Sequence, residues 1–76
     1  MEIYVCATII DFGNGDKDCR LVQQVGDEPM EVTQLDELHT NKLMWELVKA
    51  GGCRDYSVNW LNRSIVTHSA YIFLPG

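Results

Sequence analysis

Residues 2–12 limit what this chain can become more than any other stretch. Ile3, Val5, Ala7 and Ile9 alternate with Tyr4, Cys6, Thr8 and Ile10, the period of two that a strand requires, in a run enriched in β-branched residues. Both faces of such a strand are apolar, which suits a central position in a sheet. Gly13-Asn14-Gly15-Asp16-Lys17-Asp18 follows and supplies the positive-φ residues and side-chain acceptors of a hairpin connection. Residues 19–25 read as a second strand, more polar and therefore nearer an edge. Gly26-Asp27-Glu28-Pro29 ends it, because Pro29 has no N–H for a ladder.

A helix comes next, and its limits are less plain. Thr33 with Asp36 resembles a capping box, and Gly51-Gly52 after Lys49 and Ala50 is a C-terminal signal, so the pattern predicts one helix over about 34–50. The phase objects to its first turns. Leu43, Met44, Leu47 and Val48 share one side, whereas Leu35, Leu38 and Trp45 fall nearly opposite. Either a short turn precedes a second start at Thr40 or Asn41, or one helix carries a core face and a second apolar stripe. Tyr56, Val58 and Trp60 then alternate with polar residues, Leu61-Asn62-Arg63-Ser64 reads as a turn, and residues 65–74 are a long β-rich run. The expected order is ββαββ: an α+β domain over residues 1–76, with a four-stranded antiparallel sheet and one helix packed on one face.

A chain of 76 residues has room for one modest core. Cys6, Cys19 and Cys53 are an odd set without close spacing, which argues for reduced thiols in a cytoplasmic protein rather than a secreted disulfide framework. The apolar N-terminal run lacks a basic start and a cleavage pattern and is not expected to be a signal peptide. No run has the length of a membrane-spanning helix, so no membrane association is expected.

Chemistry-bearing motifs are sparse. His39 and His68 are not spaced with the cysteines for a metal, so neither a metal nor a cofactor is expected. Nothing pairs a thiol with a base, and Cys6 reads as a small core hydrophobe. His68 reads as a hydrogen-bonded sheet residue and His39 as a solvated one. Asn14, Asp16 and Asp18 echo the start of a calcium loop, but Cys19 stands where that loop needs Gly and Val25 where it needs Glu. Gly13-x-Gly15 has no helix start after it and is no phosphate loop. The expectation is a protein that is not an enzyme.

Charge is the remaining signal. The net charge is −5, and residues 1–38 hold nine acids against Lys17 and Arg20 while residues 39–76 hold Glu46 and Asp55 against Lys42, Lys49, Arg54 and Arg63. An acidic first half favours a basic partner, because long-range potential steers encounter. Trp45, opposite the main helix face and rimmed by Lys42, Glu46 and Lys49, is the candidate exposed anchor. The predicted partner-binding set is Asp27, Glu28, Glu31, Asp36, Glu37, Leu38 and Trp45, acting on a protein or nucleoprotein with a basic surface. In size, acidity and ββαββ pattern the chain resembles the small inhibitors that phages and mobile elements direct at host defences, anti-CRISPR proteins among them. That resemblance implies occupation of a basic nucleic-acid-binding surface of a CRISPR-Cas complex, with no residue roles carried over. Two other readings stand beside it: a nucleic-acid-binding regulator using the basic second half, and a homodimer joined by the Trp45 stripe or the long last strand.

Overall fold

Strand β1 (Ile3–Asp11) occupies the middle of the sheet, as its doubly apolar sequence requires. The computed structural model describes residues 1–59 and 64–75. After β1 come β2 (Lys17–Val25), β3 (Glu31–Gln34), helix α1 (Glu37–Lys49), β4 (Cys53–Val58) and β5 (Val66–Leu74). The sheet has five strands in the order β3-β2-β1-β5-β4, and every neighbouring pair is antiparallel. Among the described residues the fold is α+β with one helix, and the expected four-stranded sheet is corrected to five strands.

The additional strand is β3, in a segment read from sequence as loop and helix start. Glu31-Val32-Thr33-Gln34 has β-branched residues at its centre, and its four residues pair with Arg20 to Gln23 of β2. Thr33 is therefore a strand residue and not a helix cap. β2 lies nearer the edge than β1, as its more polar sequence suggests, with β3 outside it along Arg20 to Gln23. Cys19 of β2 is buried in the core.

Asp36 caps the helix instead. Its extended backbone (φ −82°, ψ 168°) turns the chain, and its Oδ1 accepts the His39 N–H at 2.7 Å, satisfying one of the amides that a helix start leaves unpaired. The phase conflict thereby dissolves, since Leu35 lies before the helix and only Leu38 and Trp45 remain on its outer side. At the other end the Gly52 N–H donates to the Leu47 carbonyl and the Gly51 N–H to the Val48 carbonyl, the Schellman arrangement. Gly51 has φ +98°, and a Cβ on Gly52 would stand 2.4 Å from the Tyr71 carbonyl oxygen. The pair of glycines both ends the helix and lets the chain pass close against β5.

Helix α1 packs on β1, β5, β2 and β4 but not on β3. Ala7, Ile9, Cys19, Met44 and Ala70 form the buried cluster, with Leu21, Leu43, Leu47 and Val48 against it. Thr40 is fully buried, and its hydroxyl donates to the Asp36 carbonyl at 2.7 Å. The second hairpin is as expected where it is described, with Val58 opposite Val66; Trp60 and the turn residues Leu61 to Arg63 lie outside the described residues.

Candidate binding surface

The seven residues expected to meet a partner are all exposed, yet they do not form one patch. Asp27 and Glu28 sit in the β2–β3 connection, Glu31 opens β3, and Asp36 and Glu37 begin the helix. A strand rises about 3.3 Å per residue, so the ten steps from Asp27 to Glu37 string these carboxylates along one border over at most about 33 Å. Two of them have partners within the chain. Glu37 accepts from Lys17 Nζ at 2.8 Å, and Asp36 holds His39 Nδ1 at 2.7 Å. The His39 backbone N–H and then its ring hold the Asp36 carboxyl below its ordinary range, while Glu37 raises the Lys17 ammonium. Asp27, Glu28 and Glu31 have no ion-pair partner among the described residues.

Trp45 belongs to a different environment. Its side chain is 57% exposed and Leu38, two turns earlier, is 70% exposed, so no part of residues 27–40 encloses the indole. Arg54 of β4 lies over the ring at 5.3 Å from its centroid, and Lys42 and Lys49 are exposed on the same outer side of the helix. The indole thus has Arg54 over its face and an outer helix side on which Lys49 is paired with Glu46 at 3.8 Å, while the other carboxylates named above follow the far border of the sheet.

Sequence reasoning passed over the sheet face that the helix leaves bare. Pairing across the five strands sets its residues in rows. The first holds Gln24, Tyr4 and Phe73; the second Val32, Val22, Cys6, Tyr71 and Cys53; the third Gln34, Arg20, Thr8, Ser69 and Asp55; the last Asp18, Ile10, Thr67 and Ser57. One half of the face is aromatic and aliphatic and the other polar. Arg20 is paired with Asp18, and Thr8 Oγ1 lies 3.2 Å from Ser69 Oγ. Phe73 is 63% and Val32 54% exposed.

A groove of about 500 Å³ runs along the apolar half, lined by Tyr4, Cys6, Gln24, Met30, Asp55, Ser69, Tyr71 and Phe73. The Tyr4 and Phe73 rings are tilted against each other at 4.8 Å between centroids. Burial and the neighbouring Cys6 thiol push the Tyr4 phenol up to about 12. The Asp55 carboxylate, followed by Cys53, raises Tyr71. One sequence signal pointed here: the apolar second face of residues 2–12, over which no helix or strand of the described residues packs.

A smaller cleft of about 200 Å³ lies between helix and sheet, where Asp11, Lys17, Glu37, Asn41, Arg54 and His68 meet Ile9 and Met44. Its charges are of both signs, with the Lys17–Glu37 pair across its mouth. His68 packs edge-on against Tyr56 at 5.0 Å. Cys6 and Cys19 are buried and Cys53 is exposed, all as free thiols, and burial foremost raises Cys19. Among the described residues no group of three or more His, Cys, Asp or Glu is placed to hold a metal ion, and no helix is long and apolar enough to cross a membrane. β5 lies between β1 and β4, but β4 pairs only with its residues Val66 to Tyr71, so Ile72 to Leu74 have a strand on the β1 side alone; the full open edges belong to β3 and β4.

No protein-family model, curated protein or solved structure matches the chain.

Proposed function

We propose that this protein is a non-enzymatic binding module that docks on a basic surface of another macromolecule. The observation that carries the reading is the exposed border formed by the β2–β3 connection, β3 and the helix start, which presents Asp27, Glu28 and Glu31 without an ion-pair partner among the described residues. Carboxylates spread along an edge meet Lys and Arg that otherwise follow a phosphate backbone, because those cations respond to charge and spacing and not to the sugar. Leu38, beside Asp36 and Glu37 at the end of this border, supplies an apolar anchor. The finer reading is a phage-type inhibitor that occupies the nucleic-acid channel of a CRISPR-Cas complex, on the strength of size, acidity and the resemblance in make-up.

The test is displacement of labelled target DNA from purified CRISPR effector complexes across a range of salt concentrations. Displacement that fades as salt rises, and that is lost in the triple variant Asp27→Lys, Glu28→Lys, Glu31→Lys, is the expected result. Displacement unaffected by the triple reversal removes the acidic border from the mechanism. No displacement from any complex removes the CRISPR reading.

A second reading has its own observation in the surroundings of Trp45. An indole with Arg54 over its face and Lys42 and Lys49 nearby is the combination that stacks a base and neutralises phosphate. The same assay with labelled single-stranded DNA alone decides it, since a shift lost on Arg54→Glu would give the indole face this role. Arg63, the other cation of that expectation, lies outside the described residues.

A further inference from the structure

The groove on the bare sheet face has a composition that selects its occupant. Three aromatic rings, Tyr4, Tyr71 and Phe73, come together from the two central strands, and Asp55 of β4 stands at the same groove. Asp55 is the single ionised side chain among its lining residues and has no ion-pair partner among the described residues. The only cation on that face among the described residues, Arg20, is already taken by Asp18. An apolar occupant would leave the carboxylate unanswered, and an anionic one would be repelled by it. A second copy would bring two such carboxylates, on two molecules of charge −5, toward one another. Aromatic rings cover an alkyl stem, and a carboxylate beside them gives the stem's ammonium a charge-assisted hydrogen bond.

The geometry points to this groove as a receptor for a lysine side chain of a basic protein partner, its alkyl stem lying along Tyr4, Phe73 and Tyr71 and its ammonium reaching Asp55. A lysine stem suits the site because its methylenes cover apolar surface while the charged head stays at a wet rim. The raised phenol of Tyr71 fits this arrangement, since the field of Asp55 reaches the ring that would contact the stem. The inference rests on the reading of the chain as a binder of basic partners, but it puts the specific contact on the face of the sheet opposite the helix, in a groove that Met30 joins to the acidic border and that Asp55 closes at its other end.

The experiment is an NMR titration of the isotope-labelled chain with a glycine-rich peptide carrying one lysine, and with the same peptide carrying norleucine instead. The lysine peptide should shift the Tyr4, Ser69, Tyr71 and Phe73 amides saturably, and norleucine should not. Asp55→Asn should weaken the response about tenfold while the remaining amides keep their positions, which shows an intact fold. Equal shifts from both peptides, no shift from either, or full binding by Asp55→Asn overturns the proposal. So does a concentration-dependent shift of the same amides without peptide, which would assign the face to a second copy. Titrating the triple variant at Asp27, Glu28 and Glu31 separates the two readings. Binding lost there but kept in Asp55→Asn sinks the groove and leaves the border standing, whereas binding kept there but lost in Asp55→Asn assigns the lysine to the groove and leaves the border to the displacement test.

Discussion

The two faces of the sheet are made by the same five strands and have opposite fates. On the helix side Ala7 and Ala70 are fully buried and Met44 of the helix is 2% exposed above them; small residues on the central strands let the helix sit close, and large ones on the helix fill the space. On the other side the central strands carry Tyr4, Tyr71 and Phe73, large residues over which no helix or strand of the described residues packs; Tyr4 and Tyr71 are half-buried and Phe73 is exposed. Small side chains beneath a cover and large ones without a cover indicate that the first face holds the molecule together and the second is spare for contact. An antiparallel sheet with one solvated face ordinarily alternates apolar with polar residues, and here half of the solvated face does not.

The comparison breaks most readily at Met44. Removing its side chain leaves a cavity between helix and sheet, and Met44→Ala should cost about 2–5 kcal/mol, a large share of the roughly 5–15 kcal/mol that a domain possesses. Urea unfolding measures it, and a loss of a few tenths would mean that the helix face is not where stability resides. A smaller effect is expected on the bare face. Phe73→Ser removes one member of a tilted aromatic pair and should change stability by about 1 kcal/mol or less, while abolishing the response to the lysine peptide. If it destabilised the chain as much as Met44→Ala, the bare face would be part of the core and the contrast would be lost.

The smallest effect concerns the helix start. The Asp36 carboxyl is held below its ordinary value of 3.8, so its contribution is whole above that value and is lost as pH falls through the lower value of the folded state. The group is exposed and the effect on stability is slight. It is read best at the His39 amide once its own ring is fully protonated: below pH 3.8 its shift should move with further acidification in this chain and stay flat in Asp36→Ala. An unmoved amide in both would show that the cap does not depend on charge.

Most of the local structure was legible before any coordinates. The first hairpin, the second hairpin and the end of the helix at Gly51-Gly52 follow from alternation and turn chemistry, which act over a few residues. β3 was missed because four residues with two β-branched positions are too short to show a period, and because Thr33 and Asp36 imitate a capping box. The acidic residues were legible as charges but not as a border. Asp36 and Glu37 were not legible as already engaged, since Lys17 reaches Glu37 only once the helix lies beside β2.

The amino-acid order by itself determined that residues 2–12 form a central strand, that a helix ends at the two glycines and that acid accumulates in the first half. Those are properties of neighbours in sequence, set by backbone preference and side-chain periodicity. Tertiary structure alone decided that β3 lies outside β2, that Trp45 stands beside Arg54, and that Tyr4, Phe73, Tyr71 and Asp55 share a groove. Strand register brings these last four together from three strands, and register depends on which face the helix covers, a choice made by packing and written in no single stretch of the chain.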